Sequence, residues 1–162
     1  MATSIKNVVL TASFTRPANT TTYTAEDAVN NGTDNLTFTP STDIQDGQSL
    51  VVKSVRLVTN STTTTNASFR LYFTDNTQTA IADNSAQTLL YTNKDKRVGY
   101  VDLTLSTGGT GSDCAEGFAT DVNVPFKSVS TDFYGYLVAK AAYVPASGQE
   151  FYIELVCQLI DP

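Results

Sequence analysis

Apolar and polar positions alternate with a period of two in segment after segment of this chain, the signature of half-buried β-strands. In Phe69-Arg70-Leu71-Tyr72-Phe73, the residues Phe69, Leu71 and Phe73 share one face, and Arg70 and Tyr72 share the other. Tyr100 to Leu105 sends Val101, Leu103 and Leu105 to one side, and Phe151 to Leu155 does the same with Phe151, Ile153 and Leu155. Val51 to Leu57 reads less cleanly. Its apolar face is Val51, Val55 and Leu57, with Lys53 intruding. Ile5 to Thr15, Leu36 to Thr39, Ala119 to Phe126 and Phe133 to Val144 bring the expected number to about eight strands.

Turn chemistry separates them: Asn31-Gly32, Asp46-Gly47, Gly108-Gly109-Thr110-Gly111 and Pro145-Ala146-Ser147-Gly148. No stretch keeps apolar residues at helical spacing for three turns. The best helical candidate is the short segment Asn84 to Leu90, with Asp83 as its N-cap. The polar run Ser61 to Thr65 reads as a solvated loop. The expected architecture is all-β: an antiparallel β-sandwich, jelly-roll-like, of about eight strands. One domain spanning 1–162 is expected, with an extended arm or inter-strand excursion around residues 16–35.

Composition agrees and narrows the chemistry. Threonine supplies 26 of the 162 residues, a β-branched bias, and only 16% of residues are charged. There is no histidine, which removes Ser-His-Asp and Cys-His catalysis, His-ligated zinc and the usual neutral-pH general base. The net charge of −6 argues against a nucleic-acid partner, and no apolar run is long enough to span a bilayer. The N-terminus lacks a signal-peptide pattern, so synthesis in a cytoplasm is expected. The Asn-x-Ser/Thr matches at Asn19, Asn31, Asn35, Asn60 and Asn66 then follow from composition alone. Cys157, inside Leu155-Val156-Cys157, reads as a buried hydrophobe, and Cys114 as a free thiol in a polar loop.

What remains for catalysis is thin. Glu150 and Glu154 sit on one face of a strand about 13 Å apart, beyond the roughly 5–9.5 Å of paired glycosidase carboxylates. Asp43 to Gly47 lacks the spacing of a calcium loop and reads as an Asx turn. Gly108 to Ser112 has no following lysine and opens no helix, so it is a loop and not a phosphate cradle. No enzyme activity, metal or other cofactor is expected. Tyr134, Tyr136 and Tyr143 flank the small residues Gly135, Ala139, Ala141 and Ala142. Such tyrosines on an outer face suit a protein interface or sugar stacking, or they simply cover the ends of the sandwich.

Two groups of residues carry a broader pattern. The first runs from Ala12-Ser13-Phe14-Thr15-Arg16-Pro17 through Tyr23 and Glu26-Asp27-Ala28-Val29. The second combines Ser68 to Phe73, Ile81 to Ala86, Tyr134 to Ala139 and Tyr143 to Gly148. Together they resemble a family of small virion proteins of tailed bacteriophages, the capsid decoration or cement proteins. The resemblance implies a β-sandwich that assembles as a homotrimer on the outer capsid surface, with the major capsid protein as partner. Arg16-Pro17 ends a strand, because proline cannot donate to a ladder, and the Asn-Thr run beyond it is an arm that either crosses to a neighbour or returns to its own chain. The candidate interface is Phe14, Arg16, Pro17, Tyr23, Asp27, Tyr134, Tyr136 and Tyr143. Replacing Arg16 or Tyr23 by Ala is expected to weaken assembly and leave the fold intact. The competing expectation is a carbohydrate- or receptor-binding module of the virion.

Overall fold

The computed structural model describes residues 6–160 except 33–34, 42–43, 46, 65, 76, 80, 108, 110 and 128–130. Ten strands occur in chain order: β1 (Asn7–Thr15), β2 (Ala28–Val29), β3 (Leu36–Pro40), β4 (Ser49–Thr59), β5 (Ser68–Thr74), β6 (Arg97–Thr104), β7 (Ser106–Thr107), β8 (Ala115–Lys127), β9 (Phe133–Ala139) and β10 (Glu150–Ile160). All pairings are antiparallel. One sheet has the order β1-β10-β4-β8, with the short β7 beyond β8. The other is β3-β9-β5-β6, with β2 lying on β9 in line with β3.

Counting β2 and β3 as one interrupted strand leaves eight principal strands, paired 1-8-3-6 and 2-7-4-5. That interleaving is the jelly-roll connectivity. The expected fold class and strand number are therefore met. Strand β3 joins the two sheets, because its C-terminal end pairs β1 through Thr39 and Pro40 while Leu36 to Phe38 pair β9. At the opposite seam β6 comes against β8 so closely that a Cβ on Gly99 would stand 2.5 Å from Val124 Cγ1.

The alternation read from the sequence places the core. Phe69, Leu71, Phe73, Val101, Leu103, Leu105, Ile153 and Leu155 are all buried in one cluster between the sheets. Each such side chain is worth roughly 1.5–3 kcal/mol of burial. Gly135 belongs to the same interior, where a Cβ would meet the Tyr72 carbonyl at 2.6 Å and the Phe38 ring at 3.0 Å. Gly135 is thus small because a strand and a ring press on it between the sheets, and Ala139 is buried in the same cluster.

Three local expectations are corrected. In β4 the inward residue is Val52 and not Val51: the pairing with both neighbours slips at Lys53, a β-bulge that inverts the alternation there. Lys53 then reaches Asn123 Oδ1 at 2.6 Å across the bulge. Asn84 to Leu90 is not a helix. Its backbone instead joins the segment before β3, with Ala28 N–H donating to Ser85 O at 2.9 Å and Gln87 N–H to Glu26 O at 2.7 Å. Tertiary pairing overrides a marginal helical pattern of two turns. A 3₁₀ turn follows at Tyr91–Asn93. The third correction concerns the run from Ser61, where Thr62–Thr64 is a 3₁₀ turn and Ser61 and Thr64 are buried, Thr64 Oγ1 donating to Ser61 O at 2.8 Å. Thr65, Asp43, Asp46, Gly108 and Thr110 lie outside the described residues.

Candidate interaction surface

Arg16-Pro17 ends β1 as expected, and the chain that follows returns to its own molecule. Tyr23 N–H donates to Tyr143 O at 3.0 Å, and Glu26 N–H to Ala139 O at 2.7 Å. Arg16 is the anchor. Its Nε donates to the Tyr23 hydroxyl, its Nη2 to Asp83 Oδ2 at 3.0 Å, and its Nη1 to Ala146 O at 3.3 Å. The Tyr23 hydroxyl donates in turn to Asp83 Oδ1, which also accepts Asn30 N–H at 3.1 Å. Arg16 and Tyr23 are 2% and 0% exposed, and the Tyr23 ring stacks on Tyr143 at 4.8 Å. Burial, reinforced by the hydrogen bond to Asp83, pushes the Tyr23 phenol far above its ordinary pKa.

Five of the eight candidate interface residues are buried in the single chain. Arg16, Tyr23, Asp27 and Tyr143 are buried within the chain itself. Their side chains are engaged in pinning residues 16–29 to the sandwich, so Arg16 and Tyr23 make contacts internal to the fold. Asp27 Oδ2 accepts both the Thr24 N–H and its hydroxyl, closing the turn there. Tyr136 is on the outer face of β9 but is only 7% exposed, stacked on Tyr72 at 4.9 Å with the Arg97 guanidinium 3.8 Å above the Tyr72 ring. Burial among the rings pulls the Arg97 pKa below its ordinary value. Tyr134 is half-buried with its hydroxyl on Asp132. Phe14, stacked on Phe151 at 5.1 Å, and Pro17 are half-exposed.

The outer face of the second sheet continues this ladder of rings and guanidinium groups. Arg70 lies 4.0 Å from the centre of the Tyr100 ring and holds Asp102 through two hydrogen bonds, while Lys140 takes the same carboxylate at 2.6 Å. The hydrogen bond from Arg70, then the one from Lys140, hold the Asp102 pKa down at about 2.

Sequence reasoning missed the apolar side chains that the surface does present. Leu89, Leu90 and Tyr91 are consecutive and exposed in the β5–β6 connection, Tyr91 at 81%. The run Leu89-Leu90-Tyr91 was legible, but reading Leu90 as the end of a helix concealed it. On the outer face of the first sheet Phe118 is 62% exposed, beside Arg56, which is paired with Glu116 at 2.9 Å. Toward one end of that face is a cleft of about 540 Å³, bordered by Ser13, Tyr152, Val58, Asn60 and the Asp113-Cys114 segment. Glu150, expected with Glu154 on one face of a strand, borders it, and the two pair with Thr15 and Thr11 of β1. Among the described residues no three His, Cys, Asp or Glu side chains gather where a metal ion could be held.

No protein-family model matches the chain, and no curated protein sequence matches it. Two solved structures are similar in outline. One, described as Desmodium yellow mottle tymovirus, has 14% identity and a TM-score of 0.32, covering 98% of this chain and 89% of the other. The second, described as a decameric BFDV capsid protein, has 10% identity and a TM-score of 0.37, covering 98% of this chain and all of the other. Likeness at that level carries no argument about this chain's role, which rests on its own residues.

Proposed function

We propose that this chain is a non-enzymatic structural component of a virus particle, made in the host cytoplasm, that binds the outside of a tailed-phage capsid as a homotrimer and bridges neighbouring capsomers. The observation that carries the reading is the exposed tip Leu89-Leu90-Tyr91. Apolar residues presented together on a connection tied to the body by backbone hydrogen bonds suit docking onto another protein. Phe14, Pro17 and Tyr134 are the members of the expected interface that keep exposed surface for such a contact. The resemblance to decoration proteins supplies the partner, the major capsid protein. The jelly roll is compatible with it, as one of several roles that this scaffold serves. A net charge of −6 carries no penalty outside the shell, whereas the inner wall faces concentrated phosphate. Three linked copies would multiply a modest single-site affinity.

The test is co-sedimentation of purified protein with phage heads that lack it. Wild-type protein should pellet with heads, and Leu90→Asp with Tyr91→Ser should not, while its circular dichroism spectrum is unchanged. Wild-type protein that stays in the supernatant overturns the reading. Sedimentation velocity of the free protein should give a trimer, and a monomer at micromolar concentration removes that part.

A further inference from the structure

The geometry points to a second binding site: we propose that the cleft on the outer face of the β1-β10-β4 sheet binds a neutral oligosaccharide. The inference does not use the β5–β6 tip that carries the capsid-docking reading; of the residues given to that contact it shares Phe14, which also borders the cleft.

Three features of the cleft carry it. Its volume, about 540 Å³, is that of a small-molecule site, whereas a flat sheet face offers no concavity. Tyr152 lines the cleft, with its hydroxyl on Glu154 Oε2 at 3.2 Å. A ring face offers the negative quadrupole against which the slightly positive C–H groups of a sugar ring pack. The polar lining mixes donors and acceptors in the way that vicinal hydroxyls require, since each hydroxyl both donates and accepts. Asn60 Oδ1 accepts the Glu150 N–H at 2.9 Å, which leaves the Asn60 NH₂ as a donor. Asp113 and Glu150 are exposed carboxylates that accept, and the Ser13 hydroxyl does either.

Charge selects among sugars. No lysine or arginine lines the cleft, and two carboxylates do, so sialylated, sulfated or phosphorylated glycans are repelled. Arg56, in the next row of the face, is already held by Glu116. Anionic chains are thereby excluded, and the mixed donors and acceptors of the lining match the hydroxyls of neutral hexose chains.

Cys114 provides a reporter inside the site. It borders the cleft and is half-exposed, whereas Cys157 is buried. The experiment prints neutral, aminated and sialylated oligosaccharides on an array, titrates the best neutral probe in solution, and follows alkylation of Cys114 by iodoacetamide with and without that probe. A free monosaccharide is run as competitor to separate recognition of a single ring from recognition of a chain. Binding of neutral glycans alone, about tenfold weaker in Tyr152→Ala and in Asp113→Ala, with Cys114 protected by the probe, is the expected result. Tyr152→Phe, which keeps the ring, should retain binding. Overturning results are no neutral glycan bound at millimolar concentration, preference for sialylated or aminated probes, or binding that neither variant weakens and that leaves Cys114 equally reactive.

Discussion

Replacing Asp83 by Ala removes the carboxylate that the buried arginine depends on. In the Arg16–Asp83 pair the two side chains are 0% and 4% exposed. Without Asp83 the Arg16 guanidinium keeps only the Tyr23 hydroxyl, the long contacts to Asn19 at 3.4 Å and the Ala146 carbonyl. The Asn30 N–H and the Tyr23 O–H lose their acceptor as well. Breaking a buried pair from one side costs about 3–5 kcal/mol, because an uncompensated charge stays in the interior. Against a total stability of about 5–15 kcal/mol that is a large fraction. For a chain of this size it corresponds to a fall in Tm of roughly 6–20 °C. Urea unfolding followed by circular dichroism measures it. Asp102→Ala is the comparison, since its pair with Arg70 is exposed to solvent and should cost about 1 kcal/mol or less. If Asp83→Ala and Asp102→Ala destabilise equally, by about 1 kcal/mol, the claim that Arg16 and Asp83 pin the segment is refuted.

Leu71→Ala or Leu103→Ala should each cost about 2–5 kcal/mol in the same assay, as both sit in the closed core between the sheets. The Asp102 carboxyl, held at about 2 in the folded chain, contributes stability that is present above the unfolded value of about 3.9 and fades as pH falls toward 2. The gap in urea midpoint between wild type and Asp102→Asn should therefore be visible at pH 6 and shrink at pH 2.5; an equal gap at both refutes it. Burial pushes the Cys157 thiol up to about 12, so a disulfide reagent at pH 8 should titrate Cys114 alone in the folded protein and both thiols in urea.

What could be read from the sequence divides along physical lines. Strands whose alternation has one apolar face were legible, since a period of two and a dry interior fix which residues point inward. Phe69, Leu71 and Phe73 show it, and so does the row from Phe151 to Leu155. Reading failed at Lys53, where the bulge exchanges Val51 for Val52, because a single inserted residue leaves no mark on composition or spacing. It failed again at Asn84 to Leu90, where the hydrogen bonds that decide the conformation come from Glu26 and Ala28, far away in the chain.

Burial in the candidate interface follows a different logic. Arg16, Tyr23 and Tyr143 are polar or amphipathic types, and such residues are ordinarily assigned to the surface. Here three of them close on one another with Asp83, a residue 67 positions from Arg16. Each is buried because the others are present. Arg16 neutralises Asp83, Asp83 orients the Tyr23 hydroxyl, and the ring of Tyr23 covers Tyr143. No local window contains that closure. The segments Arg16-Pro17 through Tyr23 and Ile81-Ala82-Asp83 therefore meet in an internal lock. The proposed recognition surfaces are where the chain leaves apolar or concave surface unfilled, at Leu89-Leu90-Tyr91 and in the cleft beside Tyr152. The two can be separated by one comparison: Tyr91→Ser and Tyr152→Ala should each leave urea stability within about 0.5 kcal/mol of wild type, as exposed positions do, whereas Tyr23→Ala should lower it by about 3–5 kcal/mol.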